Sequence, residues 1–569
     1  MEAEDSRNGG KAEEQEVAMP TDDTGPINEM GSLPLIYAVE DRPSWGLSFL
    51  LGLQHYLTMV GGIISLPFIL SPFLCILNDD PTRGYLISTI FMVSGVATIL
   101  QTVFGVRLPI VQGTSLTYLT CSLAILQLPQ WKCPTPGDLY AMGHVNRTEE
   151  WQMRMREIQG AIIGASVLEV IIGYCGLIGI LLKFITPLTI APTITLVGLS
   201  LVTHGAELSS GNWYISGLTV ILVTVFSQYL RRFVTKVPVY TLTKGWFIAK
   251  FKGFQLLPVL ITTVIVYVVC AILTRYDVLP PEDPGRIDQR TNILVNADWF
   301  IFPYPFQWGW PTFTFSSIMA MFAAVIAGIV ESVGDYYACA KICGKPPPPK
   351  MAINRGIGVE GLGCIFAGTM GIGTGVTSLS ENIGAIGVTR VGSRIVVQCG
   401  AIIMIFLSFS GKVGAMFATI PSPVIGGFLC VMFSMVTAVG LSNLQYIDMG
   451  SPRNLFVLGV SVFFGVALPG WLKDNPHAIE TGVLSVDQLI TVLLSTPMFV
   501  GGFLGFFLDN TIPGSDQERG LQAWRGKEKR EGSLQDLDIE TYSLPKSFSQ
   551  WFKKCKHTVL NVFMSRRPK

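Results

Sequence analysis

The chain has 569 residues, of which 49% are hydrophobic and 14% are charged, and its 40 basic side chains balance its 40 acidic ones. Soluble domains carry about 25% charged residues, so this composition excludes a soluble enzyme, a secreted disulfide-rich scaffold and a nucleic-acid binder with a basic face. The charges also concentrate at the ends, because residues 1–42 hold 14 of the 80 and residues 515–569 hold 19. Many apolar runs between them have 17 residues or more, enough to cross a bilayer core about 30 Å thick. The sequence predicts a polytopic membrane protein.

Fourteen segments are predicted to cross the membrane. One of them, the tenth, covers residues 378–390 and is short and interrupted by Ser380, Glu381 and Asn382. A span this polar must be buried in protein or line a cavity. The third span is interrupted in the same way by the run from Gln112 to Ser115. The other thirteen cover residues 46–70, 85–104, 109–128, 158–181, 187–203, 213–229, 255–273, 315–342, 357–371, 396–418, 422–441, 454–471 and 488–508.

The basic residues of the loops predict the orientation. The loop 230–253 carries six lysines and arginines and no acid, which is typical of a cytoplasmic loop. An even number of spans then places both tails in the cytoplasm, the acidic one at 1–44 and the basic one at 510–569. The loops 129–157 and 275–312 lie outside, and the first of them contains the glycosylation sequon at Asn146.

The cysteines predict no disulfide framework. Nine of the eleven lie in or beside apolar runs, where cysteine is usually a small packing residue, and Cys75 is one of these. Cys133 alone falls in a polar outer loop, and Cys555 falls in the tail.

Two short echoes suggest an internal duplication. Thr114-Ser115-Leu116 in the third span recurs as Thr377-Ser378-Leu379 at the tenth, and Val197-Gly198-Leu199-Ser200 in the fifth recurs as Val439-Gly440-Leu441-Ser442 in the twelfth. Each echo pairs a span with the one seven later. Because seven is odd, the two halves would be inverted relative to each other, as in many secondary transporters.

Ionisable groups within the spans are candidates for function, since they are costly in a membrane. Glu331 and Asp335 lie four residues apart in the eighth span, which places them on one face of a helix. The alternative is an acidic helix end in water. Glu381 in the tenth span is the third acid, and Gln54-His55 in the first span is a polar pair at depth. Glu169 in the fourth span is a possible partner for another helix.

The chemistry of these acids favours a neutral ligand rich in donors. An ionised carboxylate accepts hydrogen bonds and donates none. Together with backbone N–H groups freed where helices break, two carboxylates would suit a small planar ligand with several N–H and C=O groups, such as a nucleobase. The chain has no nucleophile–base constellation and no metal-binding motif, so we expect neither an enzyme nor a cofactor.

The run from Glu381 to Arg390 resembles the signature of the nucleobase–ascorbate transporter family, in which an acid, amide or proline precedes Asn-x-Gly-x4-Thr. The matching positions are Glu381, Asn382, Gly384, Thr389 and Arg390. Gln54-His55 and the Glu331/Asp335 pair resemble further landmarks of the family, and the resemblance extends from about residue 44 to 520. The runs 346–349, 353–356 and 509–515 are similar to the vertebrate branch, which includes the sodium-dependent vitamin C transporters.

This resemblance implies an all-α fold of fourteen spans, built as seven plus seven inverted segments with short broken segments in spans 3 and 10. A core domain would comprise residues 45–182 and 313–420, and a gate domain 183–274 and 421–509, joined by the outer loop 275–312. The family pattern implies that Glu331 and Glu381 hold the base. The other residues that it places around the substrate are Ser115, Leu116, Leu379, Ser380 and Gly62, with Gln54 and His55 in the polar core.

The resemblance also implies sodium-coupled nucleobase uptake by an elevator-type movement of the core against the gate, in a homodimer of the plasma membrane. Asp335 is a hard oxygen ligand that suits a sodium ion better than a proton switch. Vitamin C transporters of this branch begin the signature with proline, whereas this chain has Glu381, which would repel the ascorbate anion and favour uracil or an oxopurine. An ascorbate transporter is the nearest alternative, and an anion exchanger or channel of the related fourteen-span fold is a more distant one.

Overall fold

The computed structural model describes residues 35–77, 80–179, 184–241, 245–251, 253–475, 477–515, 517–520 and 539–544. The acidic tail up to residue 34, and the basic tail at 521–538 and from 545 onward, lie outside the described residues.

The described chain is mostly helical. Its helices are α1 (Trp45–Leu70), α2 (Thr82–Val103), α3 (Leu116–Leu126), α4 (Pro136–Ala141), α5 (His144–Tyr174), α6 (Pro187–Ser200), α7 (Val202–Ser210), α8 (Trp213–Thr224), α9 (Gly253–Leu256), α10 (Pro258–Arg275), α11 (Thr291–Asn296), α12 (Phe315–Ile342), α13 (Lys350–Met370), α14 (Ser380–Thr389), α15 (Arg394–Ser408), α16 (Gly411–Ala418), α17 (Ser422–Ser442), α18 (Pro452–Asp474), α19 (Leu484–Leu494) and α20 (Pro497–Thr511). Four strands form two antiparallel pairs, β1 (Gln112–Thr114) with β4 (Val376–Ser378) and β2 (Thr235–Thr241) with β3 (Gly245–Phe251).

Each of the fourteen predicted spans has a helical counterpart. Eight described helical segments are long and apolar enough to cross a membrane, one of them (Pro187–Ser210) formed by α6 and α7 together, and the pair α19 and α20 could form a ninth span. The span predicted over 396–418 is divided between α15 and α16, and the span predicted over 488–508 is divided between α19 and α20, which meet at 81°. Pro497 causes the break: it has no N–H to donate, and it disfavours the helical conformation at Thr496, which is extended.

Helix packing divides the described elements into two groups. The core group contains α1, α2, α3, α5 and α12 to α16, and the gate group contains α6, α7, α8, α10, α17, α18 and α20. Helix α19 packs mainly on α12 of the core group, although the sequence places it with the gate domain. We name the groups after the predicted domains, and their relative movement stays a prediction.

In both sequence echoes, the two matching segments contact each other in the structure. Strand β1 pairs with β4, and the N–H of Ser115 donates to Gly375 O at 3.1 Å while the N–H of Leu379 donates to Val111 O at 3.0 Å. In the other echo, α6 and α17 lie so close that a Cβ built on Gly198 would contact Phe433 O at 2.8 Å, and one built on Gly440 would contact Thr195 N at 2.4 Å. The two members of each echo therefore occupy equivalent places about a common centre.

Three features differ from the sequence-based expectations. Cys75 forms a disulfide with Cys133; the apolar run predicts a packing role for it, but it lies in the turn after α1 ends and not within the span. The basic loop 230–253 contains the hairpin β2–β3, in line with its many β-branched and aromatic residues. Helix α5 begins at His144, so the exposed Asn146 lies in its first turn and not in a loop.

The described ends of both tails lie against the same face of the core group. Arg394 forms an ion pair with Glu40 at 2.8 Å. Arg355 donates to the carbonyl of Tyr542 at 2.6 Å, and the hydroxyl of Tyr542 donates to Pro346 O. The two tails thus emerge on one side of the molecule, as the even number of spans predicts; which side that is stays a prediction.

Candidate substrate and cation site

Two helix N-termini define the site. Helix α3 begins at Leu116 directly after β1, and helix α14 begins at Ser380 directly after β4. The pairing of these strands, with Thr114 opposite Val376, satisfies the extended backbone and brings the two helix starts together. The first N–H groups of a helix have no partner within it and carry a partial positive charge. Broken helices of this kind form binding sites near the midplane of secondary transporters.

Three carboxylates lie near each other here: Glu381 in the first turn of α14, and Glu331 and Asp335 in the middle of α12. Glu331 and Asp335 are one turn apart on α12, and the oxygens Glu331 Oε2 and Asp335 Oδ2 are buried without a hydrogen-bond partner in the described part of the chain. Both Glu331 and Glu381 lie close enough to Asp335 for their charges to act on it, and the Ser380 hydroxyl faces it. The structure therefore brings together the acids that the sequence singled out. A cluster of negative groups with unused acceptors can bind a cation, or a ligand that donates hydrogen bonds.

The uncharged residues predicted for the site next to the two strands, Leu379, Leu116 and Ser115, occupy different positions around it. Leu379 is half-buried and covers Gly113 of β1, where a Cβ would lie 2.5 Å from its side chain. Leu116 is also half-buried, at the start of α3. Ser115 is buried and its groups are in use: its hydroxyl bonds the Thr117 hydroxyl at 2.7 Å and its carbonyl accepts from Thr374. Its contribution in this arrangement is to hold the strand–helix junction.

Gly62 lies on the surface of α1 that faces the gate group. A Cβ built on it would lie 3.9 Å from Met432 Sδ of α17. The neighbouring Gly61 packs more tightly, since a Cβ there would lie 2.8 Å from the Phe428 ring. Gly61 therefore lets α1 approach the gate group closely, whereas a side chain at Gly62 would make only ordinary contact there.

The polar pair of the first span is tied to the signature. His55 is buried, and its Nδ1 lies 3.0 Å from Asn382 Oδ1. The amide nitrogen of Asn382 donates to Pro109 O at 2.9 Å, so its oxygen faces the histidine and accepts the proton from Nδ1. This chain of bonds links α1, α14 and the segment before β1. Gln54 is half-buried, and its carbonyl accepts from Thr58.

The rest of the signature shapes one face of α14. Ser380, Glu381, Gly384 and Gly387 are exposed along it, and a Cβ built on Gly384 would meet nothing within 4 Å. Two further signature residues end the helix: the Thr389 hydroxyl bonds Ala385 O, and Arg390 takes a left-handed conformation with φ of 58°. An open lane therefore runs along α14 from the acids toward the face that carries both tails.

One acid of the site, Glu360, is absent from the residues that the sequence predicts. It is buried on α13 and accepts hydrogen bonds from Ser332 at 2.5 Å and from Tyr336 at 3.1 Å. These donors directly follow Glu331 and Asp335 in α12. Their hydrogen bonds to Glu360 therefore hold in place the part of α12 that carries both site acids. Because an acid within an apolar run is costly in a membrane, the position of Glu360 in the run 357–371 is enough to mark it as a candidate for function. The expected partner of Glu169 is also visible, because the Tyr118 hydroxyl donates to it at 2.8 Å.

Comparisons with known proteins agree on the relationship. The permease family model matches residues 46–473. Solute carrier family 23 member 1 of Rattus norvegicus is 48% identical over 89% of this chain and 85% of its own length. Nucleobase-ascorbate transporter 1 of Arabidopsis thaliana is 35% identical over 91% of this chain and 97% of its own length.

A solved structure shows the same fold at low identity. The structure of SLC26A9 superposes with a TM-score of 0.51 at 12% identity, covering 73% of this chain and 61% of that one. The related proteins are transporters, and neither a family model nor a relative points to an enzyme. The chain belongs to the permease family, in the group of the solute carrier 23 and nucleobase–ascorbate transporters.

Proposed function

We propose that this transporter takes up nucleobases, uracil and related pyrimidines or oxopurines, together with sodium ions. The observation that carries the proposal is the set of three carboxylates beside the N-termini of α3 and α14, with one buried oxygen of Glu331 and one of Asp335 unpaired in the described chain. The N–H groups of a base would donate to Glu331 and Glu381. Its carbonyl oxygens would accept from the free backbone N–H groups at Leu116 and Ser380.

Sodium is assigned to Asp335. The charges that act on this carboxylate come from two other acids, so a cation there would relieve repulsion within the site. Relief of that repulsion favours substrate binding beside it, and the coupling between the two sites is reciprocal. Sodium would therefore raise substrate affinity, and substrate would raise sodium affinity by the same factor.

Uptake would proceed by movement of the core group against the gate group. The lane along α14 leads from the acids toward the face of both tails, which we assign to the cytoplasm because of the six basic residues at 230–253. In this arrangement the site is open to the inside of the cell. We place the protein in the plasma membrane, as a homodimer through the gate group.

Ascorbate is the second candidate, because a relative with 35% identity is named a nucleobase-ascorbate transporter. Glu381 favours the nucleobase. Its carboxylate at the helix start would accept hydrogen bonds from a neutral base, and it would repel the enolate anion of ascorbate.

Uptake of labelled uracil and labelled ascorbate, each with sodium and with choline in its place, tests the choice. We expect saturable, sodium-dependent uracil uptake and no ascorbate uptake in cells that express this chain. Ascorbate uptake alone would refute the nucleobase assignment.

Replacement of Glu381 by Gln tests the hydrogen bonds to the base. The amide offers one acceptor in place of two and adds a donor that faces the N–H groups of the base, so uracil affinity should fall about tenfold or more. Glu207→Gln is the matched control, since the Glu207 side chain is 79% exposed. Unchanged uracil kinetics in Glu381→Gln at normal surface expression would contradict the role.

Replacement of Asp335 by Asn tests the sodium site. We expect the sodium concentration for half-maximal uptake to rise while the preference among substrates is retained, because the change removes a cation ligand beside the base and not a contact with it. Asp277→Asn, at a side chain that is 80% exposed, is the control. A sodium titration identical to that of the unmodified protein would eliminate Asp335 as a ligand.

A further inference from the structure

The outer loop between α10 and α12 has two halves that attach to different helix groups. The first half follows α10, and Asp283 accepts from the Asn212 amide of the gate group at 2.9 Å. The second half is bound to the core group, where the N–H of Ile301 donates to Phe409 O at 3.0 Å and that of Phe306 donates to Thr369 O at 2.7 Å. Each half therefore follows its own group if the groups move.

The change from one group to the other falls within a few residues. On the core side the attachment begins with α11, since Lys412 Nζ of α16 donates to Leu294 O at 2.7 Å. On the gate side it reaches Ile287, whose N–H donates to Thr274 Oγ1 of α10 at 3.4 Å. The loop must bend between these points when the groups move.

Arg290 lies in this interval and is bound to a second connection between the groups. Its side chain is buried; Nη1 donates to Ile420 O and Nη2 to Ser422 Oγ, each at 2.6 Å. Residues 419–421 are the short link between α16 of the core group and α17 of the gate group. One guanidinium thus joins the two connections that hold the groups together on the outer face.

The chemistry of arginine suits this position. Its planar group presents several donors in a fixed fork, whereas lysine offers one nitrogen on a flexible stem. Burial lowers the pKa of Arg290 to about 10, which leaves it charged at neutral pH. Two charge-assisted hydrogen bonds from a buried fork define the separation and the angle of the two links.

We infer that Arg290 is the outer pivot of the transport movement, a positioning residue about which the core group turns relative to the gate group. The inference depends on the proposed movement of the two groups and not on the identity of the substrate. With the fork intact, both links bend at one point and the groups move as rigid bodies. Without it, the links bend independently and the moving group loses a defined path.

Transport kinetics give the first test, with whichever labelled substrate the unmodified protein accepts. We expect Arg290→Lys to lower the maximal uptake rate about tenfold or more, since a single nitrogen replaces two charge-assisted bonds, and to leave KM within about twofold of its value. Ser422→Ala removes one of the two bonds and should have a smaller effect of the same kind. Arg286→Lys is the control, because the bonds of Arg286 within the described chain are to residues of the outer loop itself, Leu279, Asp277 and Asp288.

A distance measurement tests the pivot without any substrate. Spin labels on Val278→Cys and Val295→Cys, two exposed positions on either side of Arg290, report how the halves of the loop sit relative to each other. Both label positions are introduced into a protein in which Cys175, Cys430 and Cys555 are replaced by serine. We expect Arg290→Lys, but not Arg286→Lys, to broaden the distribution of distances.

The two tests separate the inference from the proposed function. If the unmodified protein transports neither uracil nor ascorbate, the proposed function fails while the distance measurement still decides on the pivot. A distribution in Arg290→Lys as narrow as that of the unmodified protein, or a normal maximal rate at normal surface expression, would overturn the inference.

Discussion

The packing of α6 on α17 gives the sharpest prediction about stability. Gly440 allows the two helices to touch: a Cβ there would lie 2.4 Å from the backbone nitrogen of Thr195, which is 1.0 Å short of the 3.4 Å at which ordinary contact begins. Since the obstacle is backbone, no side-chain rotation can relieve it. The helices must separate, and a gap of about 0.5–1 Å forfeits a quarter to a half of the dispersion energy of each contact it opens.

We expect Gly440→Ala to destabilise the protein. Overpacking costs about 1–3 kcal/mol, and the better helix propensity of alanine returns about 0.5–1 kcal/mol, so the free energy of unfolding should fall by up to about 2.5 kcal/mol. Gly459→Ala on α18 is the matched control, because a Cβ there meets nothing within 4 Å and only the gain applies. Thermal unfolding of the purified proteins in detergent, followed by tryptophan fluorescence, measures the difference.

Gly198, on the facing helix α6, allows a second test of the same contact. Gly198→Ala places a Cβ 2.8 Å from Phe433 O at the same interface. One separation of the helices relieves both clashes, so the effects of the two substitutions should be less than additive. If Gly440→Ala unfolds at the same temperature as Gly459→Ala, the close approach of these two helices does not exist in the protein.

Two further predictions concern residues whose roles the sequence does not reveal. Cys133→Ser opens a disulfide between residues 58 apart and should lower the free energy of unfolding by about 2–4 kcal/mol; denaturation of the reduced and oxidised protein measures it, and equal stability would contradict the bond. Glu360→Gln weakens the hydrogen bonds from Ser332 and Tyr336 and should raise the KM for substrate about tenfold. Uptake kinetics against the exposed control Glu207→Gln check this, and a normal KM would show that Glu360 does not position the site acids.

The residues at the site are predictable from the sequence because a membrane makes polar groups conspicuous. Glu331, Asp335 and Glu381 stand out against apolar neighbours, and the two polar-interrupted spans alone indicate where the helices break. Pairing of β1 with β4 follows from the same logic, since the extended backbone at both places needs partners away from water.

Other features depend on three-dimensional neighbours that no local pattern encodes. Glu360 is buried and accepts from two hydroxyls, whereas Glu331 is half-buried and has an unpaired oxygen in the described chain, so a pattern that finds acids in apolar runs identifies both residues but not their different roles. Cys75 follows an apolar helix in sequence and faces an outer loop in space. The 81° turn at Thr496 and Pro497 is different, because a local pattern does encode it: the residue before a proline rarely stays helical.

The property that distinguishes the two candidate substrates, a nucleobase and ascorbate, is the charge that each would bring into the site. Two like unit charges 4 Å apart repel by about 4 kcal/mol at an effective dielectric constant of 20, which is nearly three factors of ten in affinity. Glu331 and Glu381 already interact with Asp335, so each added negative charge requires a cation close by. A neutral base would add none, and the one sodium ion proposed at Asp335 would then relieve the repulsion that the acids generate among themselves. An anionic substrate would need a further positive charge at the start of α14, where this chain has Glu381. Under the proposed function, the first position of the signature would set how much positive charge must accompany the substrate, and this is the physical reason for proposing a neutral nucleobase.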